Sequence, residues 1–110
     1  MRVIWDSKAL NGRDQIADYI RERFGAKHKN LFLQHVRQTT KMLKLHPEIG
    51  SIDPLFADRP RTYRSVVVDD LSKMVYFVEG DVIYIAAFWD CRREIESLAG
   101  EVKEGPAQGQ

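Results

Sequence analysis

Three runs rich in β-branched and aromatic residues follow one another within residues 63–89, YRSVVVDDLSKMVYFVEGDVIYIAAFW. They occupy residues 63–68, 74–78 and 82–89, and short segments rich in Asp, Ser and Gly separate them. Runs of this kind with turn signals between them predict an antiparallel three-stranded meander. The third run is apolar on both sides, which predicts a central strand covered by helices on one side.

The segment before the meander predicts a strand followed by a helix. Residues 1–5 form a β-prone run, and Asp6 or Ser7 after it can accept hydrogen bonds from the free N–H groups of a helix start. Apolar residues then recur at helical spacing over residues 13–24. Because glycine inside a helix costs about 1 kcal/mol relative to alanine, Gly12 predicts either a kink or a helix that begins only near residue 11.

A second helix is predicted over residues 27–45. Gly25 separates it from the first helix, and Pro47 stops it because a residue before proline avoids the helical conformation. The short link predicts an antiparallel helical hairpin, and residues 47–60, with their prolines and glycine, predict a connecting loop. Together these elements predict an α+β fold of order β-α-α-β-β-β, an antiparallel sheet with the hairpin packed on one face.

The length of 110 residues suits one domain. We expect this domain to occupy residues 1–99, with a short helix over 92–99, and residues 100–110 to form a flexible tail because they are rich in Gly, Glu and Gln. No apolar stretch is long enough to span a bilayer, and the first residues lack the pattern of a signal peptide. We therefore expect a cytoplasmic protein.

The formal net charge of +1 conceals an uneven distribution. Residues 1–64 hold 13 Lys/Arg against 7 Asp/Glu, a charge of +6, whereas residues 65–110 hold 4 against 9, a charge of −5. One face of the second predicted helix carries Arg37, Lys41 and Lys44 at spacings of three and four. This basic face either speeds encounter with an anionic partner or simply solvates the helix.

Arginines also flank the predicted meander. Arg61 and Arg64 lead into its first strand, and Arg92 and Arg93 follow its last strand. We expect the start of the first strand and the end of the third to lie at the same edge of the sheet, where Arg64 would meet Arg92 and Arg93. Guanidinium groups suit phosphate recognition because their donors form a planar, charged fork. The alternative is that these arginines form ion pairs with carboxylates nearby, namely Asp69, Asp90 or Glu94.

No pattern typical of a common enzyme class, a metal site or a cofactor site is present. The three histidines lie on or beside the second predicted helix and are predicted to be surface or cap residues. They are His28, His35 and His46. The single cysteine, Cys91, excludes an internal disulfide. Its thiol is either made reactive by Arg92 and Arg93 beside it or half-buried and structural.

A set of short motifs occurs in order along residues 1–98, approximately. The motifs are Trp5-Asp6, Tyr19-Ile20, Phe24-Gly25, Pro47-Glu48-Ile49-Gly50, Tyr63-Arg64-Ser65, Met74-Val75-Tyr76-Phe77-Val78-Glu79, Ile83-Tyr84-Ile85 and Trp89-Asp90-Cys91-Arg92-Arg93. In order and spacing this set resembles the RelE/ParE superfamily of toxins from bacterial type II toxin-antitoxin systems. The resemblance implies a compact β-α-α-β-β-β domain that forms a hetero-oligomer with a labile, neutralising antitoxin.

The resemblance also implies two classes of target. RelE-like members cut mRNA on the ribosome with basic residues on the sheet and a tyrosine or histidine near the C-terminus, whereas ParE-like members lack that set and inhibit DNA gyrase. Here residues 94–98, EIESL, contain neither Tyr nor His, and arginine is a poor proton-transfer group for cleavage by a 2′-hydroxyl. This departure favours a ParE-like, plasmid-stabilising gyrase inhibitor that is not an enzyme.

The candidate site residues follow from these alternatives. For a gyrase inhibitor, we expect the target to contact Arg64, Trp89, Arg92 and Arg93, which are residue types that commonly anchor interfaces. For an mRNA endonuclease, Arg61, Arg64 and Arg92 would bind phosphate. A third interpretation is an inert module that only binds its antitoxin.

Overall fold

The computed structural model of the protein describes residues 1–69, 72–91 and 102. The predicted helix over 92–99, nearly all of the predicted tail and part of the turn after residue 69 lie outside the described residues. Within these residues the structure has two α-helices and five strands: β1 Arg2–Trp5, α1 Ser7–Phe24, α2 Ala26–Leu45, β2 Ser51–Ile52, β3 Arg64–Val68, β4 Ser72–Glu79 and β5 Val82–Asp90. The predicted α+β class, the helical hairpin and the meander are confirmed, and the helix over 92–99 stays a prediction.

The sheet has the strand order β1-β5-β4-β3-β2. β3, β4 and β5 form the antiparallel meander, and Gly80 adopts a φ of 63° in the turn before β5. β5 lies between β4 and β1, as predicted for a central strand. β1 pairs with β5 in parallel, so the sheet is mixed and not wholly antiparallel as expected. The helical hairpin carries the chain back across the sheet, so that β1 and β5 can run side by side in the same direction.

The segment that we predicted as a loop contains a short edge strand and one turn of 3-10 helix. β2 pairs antiparallel with the start of β3, Ser51 opposite Ser65. The 3-10 helix Pro54–Phe56 follows, and the Asp53 carboxylate caps it by accepting the N–H of Leu55 at 3.0 Å. A strand of two residues cannot show an alternating pattern, so the sequence gives no signal for it.

Helix α1 begins six residues earlier than the periodicity predicts and passes through Gly12. Asp6 caps it, since its carboxylate accepts the N–H of Lys8 at 3.0 Å. A Cβ atom at Gly12 would lie 1.9 Å from the carbonyl oxygen of Phe88 on β5. The prediction of a start near residue 11 is therefore wrong, because this glycine serves the close approach of helix and strand and does not mark a helix end.

Both faces of the sheet are buried. The helix-side core is the cluster under the hairpin: Ala9, Ala17, Phe32, Val36, Leu43, Val68, Met74, Tyr76, Ile83, Ile85 and Phe88. The opposite-side core lies on the other face: Phe56, Tyr63, Val75, Phe77, Ala87, Trp89 and Val102. A bulge in the β4–β5 pairing at Val75/Tyr76 skips Ala86, so Ile85 and Ala87 face different sides.

The opposite-side core contains two segments that the sequence analysis did not place there. We predicted helices on one face of the sheet, and the segment around Phe56 and Tyr63 packs on the other face. Val102, which belongs to the predicted flexible tail, is only 8% exposed and packs in the same core.

Candidate functional site

Arg64, a predicted target and phosphate contact, is bound to the loop that follows α2. Its guanidinium donates to the carbonyl oxygens of Gly50 at 2.9 Å and of Glu48 at 3.5 Å. Tyr76, opposite Arg64 in the sheet, holds the same loop: its hydroxyl donates to the carbonyl of Pro47 at 2.7 Å and accepts the N–H of Gly50 at 3.0 Å. Burial raises the pKa of Tyr76, which keeps this hydroxyl protonated and able to donate.

The loop needs glycine at position 50. A Cβ atom there would lie 2.7 Å from the Tyr76 hydroxyl oxygen and 2.9 Å from the carbonyl oxygen of Ser65. Arg64 therefore has a role that neither interpretation of the sequence included, because it fastens residues 47–50 through carbonyl groups and not through a carboxylate.

Arg64 and the end of β5 lie far apart along the sheet. Arg64 stands opposite Tyr76 and Tyr76 opposite Ile85, whereas Asp90, at the end of β5, stands opposite Ser72. Because the bulge leaves Ala86 unpaired, this separation corresponds to the four residues from Tyr76 to Ser72 on β4, which is about 13 Å at about 3.3 Å per residue. β3 and β5 run in the same direction because each is antiparallel to β4, so the reasoning that brought Arg64 to the end of β5 is wrong. Arg92 and Arg93 themselves lie outside the described residues.

Arginines of the segment between β2 and β3 stack on aromatic rings of the opposite-side core. The guanidinium carbon of Arg61 lies 4.5 Å from the ring centroid of Phe77, and that of Arg59 lies 4.9 Å from the ring centroid of Phe56. Arg59 also donates to the carbonyl of Val102. The predicted phosphate contact of Arg61 stays a prediction.

Trp89, another predicted target contact, fills the opposite-side core. Trp89 is only 4% exposed. Its ring stacks on that of Phe56, with the ring centroids 6.4 Å apart and an interplanar angle of 14°. Its indole N–H has no acceptor among residues 1–69, 72–91 and 102. A contribution of Trp89 to target binding stays a prediction. Because Trp89 is buried, it would act by supporting the end of β5 from within the opposite-side core.

A buried ion pair beside Trp89 is a feature that the sequence analysis missed. The Lys73 ammonium lies 2.6 Å from a carboxylate oxygen of Asp53, and the two side chains are 16% and 0% exposed. Lys73 stands opposite Trp89 in the sheet, with its ammonium 6.0 Å from the indole centroid. One signal for it is the position of Lys73 directly before the predicted apolar strand 74–78, since a charge that becomes buried with such a strand needs a partner.

The environment of Asp53 acts on its pKa in two directions. Burial alone raises the pKa, but the hydrogen bond and charge of Lys73, together with the N–H of Leu55, outweigh burial. The net effect holds the pKa of the Asp53 carboxyl below its ordinary value, so Asp53 is ionised at neutral pH and the pair with Lys73 is a true ion pair.

The predicted basic face of α2 is on the surface, as expected. Arg37, Lys41 and Lys44 are all exposed. Arg37 also borders a groove between α1 and α2 whose lining includes the apolar side chains of Leu33 and Val36. The face is therefore accessible to a partner, and its role in partner encounter stays a prediction.

The histidines and the cysteine lie where the sequence placed them. His28 and His46 are exposed, and His35 is half-buried, with Nδ1 4.0 Å from a carboxylate oxygen of Asp69. Cys91 is half-buried, and burial together with the Asp90 charge raises the pKa of its thiol. This favours the structural interpretation of Cys91 over the reactive one.

The described part of the chain contains no cluster of His, Cys, Asp and Glu that could hold a metal ion. Neither described helix is long and apolar enough to cross a membrane.

Comparison with known proteins adds three findings. A family model described as ParE toxin of type II toxin-antitoxin system, parDE, matches residues 3–95. A solved structure from the chromosomal ParDE toxin-antitoxin system of P. aeruginosa is similar in fold, with a TM-score of 0.66, 21% sequence identity, and coverage of 82% of this chain and 95% of that chain. No curated protein sequence matches this chain.

Proposed function

We propose that this chain, which belongs to the ParE toxin family of type II toxin-antitoxin systems, arrests bacterial growth by inhibiting DNA gyrase and is neutralised by a cognate antitoxin. The proposal includes action in the cytoplasm and a contribution to plasmid stabilisation. It takes gyrase inhibition, and not mRNA cleavage, as the activity of the site.

The dispersal of the arginines carries this choice of target. Arg64 is bound to the carbonyl groups of the loop after α2, and by the register the end of β5 lies about 13 Å further along the sheet. A phosphate site that combines Arg64 with Arg92 therefore lacks support. The chain also has neither Tyr nor His in residues 94–98, where RelE-like nucleases place a proton-transfer group.

The proposed target contact is the end of β5 and the arginine pair that follows it in sequence. Arg92 and Arg93 would bind gyrase through planar, charged hydrogen bonds. Trp89 would support them from within the opposite-side core, where it stacks on Phe56. Arg64 would contribute only indirectly, through the loop that it fastens.

The free edge of β3 suits a segment of the antitoxin. β2 pairs only with Arg64 and Ser65, so residues 66–68 have no partner on that side within the described part of the chain. Ile52 and Val67 beside this edge are 60% and 64% exposed. An unpaired strand edge with exposed apolar side chains accepts an extended segment as an additional strand.

Supercoiling by purified gyrase tests the target. Adding the protein should reduce supercoiling, while mRNA on translating ribosomes stays intact. The double variant Arg92→Ala/Arg93→Ala should lose the inhibition and keep the fold. A matched control is Arg21→Ala/Arg23→Ala, which removes the same charge from the exposed end of α1 and should inhibit like the wild type.

Two results would establish other functions, one in the assay of ribosome-bound mRNA and the other in a growth experiment. Cuts in ribosome-bound mRNA with gyrase unaffected would establish the endonuclease, with Arg61, Arg64 and Arg92 as its candidate phosphate contacts. Normal growth during expression without the antitoxin would establish the inert module.

Purification of the tagged protein from its own operon tests the partner. If the protein elutes alone and monodisperse, this result would contradict a stable antitoxin complex.

A further inference from the structure

We propose that Asp53 and Lys73 are positioning residues for target inhibition: their buried ion pair fixes the Trp89 ring and thereby the end of β5. This inference rests on the proposed function in one respect, because the end of β5 is the proposed target contact.

The contacts around Trp89 form a closed circuit. Lys73 lies opposite Trp89 across the β4–β5 pair, and its ammonium reaches both the indole ring at 6.0 Å and Asp53 at 2.6 Å. Asp53 caps the 3-10 helix Pro54–Phe56. That helix carries Phe56, whose ring stacks on Trp89 at 14°. The ion pair therefore joins the two elements that contact the same indole.

The indole depends on these neighbours for its orientation. A buried Trp usually finds an acceptor for its N–H, and that bond fixes the ring. Trp89 has no such acceptor in the described part of the chain. The Phe56 ring and the Lys73 charge are its described directional contacts, since an ammonium is attracted to the face of an indole within about 6 Å. Moving either contact frees the ring to turn.

Asp53 itself is held firmly enough to act as a fixed point. Its own N–H donates to the carbonyl of Tyr63 at 2.9 Å, and its carboxylate accepts the N–H of Leu55 at 3.0 Å. Lys73 has a long, flexible side chain, and the ion pair selects one direction for it. The direction of the ammonium toward Trp89 thus follows from the position of Asp53.

Stability alone does not account for such a pair. A buried ion pair often contributes no more to stability than apolar side chains of the same shape, whereas in some proteins it selects one geometry. The opposite-side core consists otherwise of aromatic and aliphatic residues, so apolar residues at both positions would pack there. What the two charges add is a fixed direction of the Lys73 side chain beside Trp89.

The decisive variant removes both charges together, so that neither is left buried alone. We expect Asp53→Asn/Lys73→Met to keep a melting temperature near that of the wild type and to bind the antitoxin equally well. The concentration required for half-inhibition of gyrase should rise about tenfold or more, which corresponds to losing an interaction used only in the active complex. Fluorescence in a Trp5→Phe background, where Trp89 is the only tryptophan, should show stronger acrylamide quenching.

The chain offers a matched control on its other tryptophan. Arg13 lies 5.3 Å from the centroid of a Trp5 ring and forms an ion pair with Asp14 at 3.0 Å, so it repeats the arrangement of Lys73 at a more exposed site. Arg13→Met/Asp14→Asn should inhibit gyrase like the wild type. A loss of inhibition in this control as large as in the Asp53/Lys73 variant would overturn the assignment, because the effect would then be general.

Other outcomes also decide the matter. Inhibition by Asp53→Asn/Lys73→Met within about twofold of the wild type would show a purely structural pair. If that variant does not fold, Lys73→Arg keeps the charge and moves it, and unchanged inhibition and unchanged Trp89 quenching in Lys73→Arg would overturn the proposal. If the wild type arrests growth without inhibiting gyrase, the proposed function fails, and growth arrest by the same variants then tests the positioning role.

Discussion

The two faces of the sheet are covered by different kinds of segment and by different kinds of side chain. Two long helices cover the helix-side core, and all its members are apolar or aromatic. A short segment with one turn of 3-10 helix covers the opposite side, where Arg59 and Arg61 stack on rings and the Asp53–Lys73 pair is buried. The first face thus stabilises the fold by apolar burial, and the second holds charged groups in defined positions.

The largest effect expected from this comparison comes from truncating one aromatic side chain on each face. Phe32→Ala should lower the free energy of unfolding by about 3–5 kcal/mol, the usual range for a buried Phe. Phe32 and Phe56 are both 2% exposed. Phe56→Ala should nevertheless lower the free energy of unfolding by less, roughly 2–3 kcal/mol, because a short segment collapses into a cavity more easily than two packed helices do. Urea denaturation measures both, and a larger loss for Phe56→Ala would reverse the assignment of the main core.

Gly12 sharpens the comparison from the helix side. In Gly12→Ala the new Cβ must move away from the Phe88 carbonyl, which lies 1.9 Å from the ideal position. Overpacking of this kind costs about 1–3 kcal/mol, and the higher helix propensity of alanine returns only about 1 kcal/mol. Because the clashing atom is a backbone carbonyl, which cannot rotate away as a side chain can, we expect the upper part of that range and a net loss of about 1–2 kcal/mol in urea denaturation. The neighbouring exposed residue provides the control, since Asn11→Ala should change stability little, and an unchanged Gly12→Ala would contradict the close approach.

The helix-side core is the part of the fold that the sequence predicts well. Helical spacing in α2 and the apolar runs of the meander report burial directly, because period 3.6 and period 2 follow from backbone geometry. Gly12 is one exception on that side. From a single sequence, a glycine that allows close packing cannot be distinguished from a glycine at the end of a helix.

The opposite side was predicted poorly for physical reasons. β2 is too short to show periodicity, and the Asp53–Lys73 pair joins residues twenty positions apart through tertiary structure. Two errors lie on the helix side, where Arg64 stands opposite Tyr76. The expected approach of Arg64 to the end of β5 is an error of topology, since alternate strands of a meander start at the same end. The hydrogen bonds that Arg64 and Tyr76 make to the loop 47–50 involve backbone carbonyl groups, which no residue type reveals.

Acid should weaken the opposite side. The pKa of Asp53 is held below 3.8, its value in an unperturbed carboxyl, by Lys73 and the N–H of Leu55 despite burial. A depressed pKa contributes stability that is complete above the unfolded pKa and is lost as the pH falls through the folded pKa. The free energy of unfolding should therefore fall below pH 3.8.

Urea denaturation across that acid range tests the contribution of Asp53. Asp53→Asn/Lys73→Met should reduce the acid dependence, whereas Asp14→Asn at the exposed pair on α1 should leave it unchanged. An identical slope for the wild type and the Asp53 variant would show that other groups cause the acid sensitivity.

The smallest effect on stability, and one confined to binding, should come from the basic face of α2. Arg37, Lys41 and Lys44 are exposed, and exposed charges change stability by about half a kcal/mol or less each. The triple variant to Gln should melt like the wild type. Its association with the antitoxin should slow at low salt and lose part of its salt dependence, because long-range attraction raises the encounter rate and salt screens it. Stopped-flow association at several salt concentrations measures this.

The control for the basic face must separate the position of the charges from their number. Arg21, Arg23 and Lys27 are exposed at the turn of the helical hairpin, so changing all three to Gln removes the same net charge from another part of the surface. Association of this second variant should keep most of the wild-type salt dependence. Equal slowing in the two variants would show that net charge alone steers the encounter, and a large loss of stability in the first would show that its side chains support the fold.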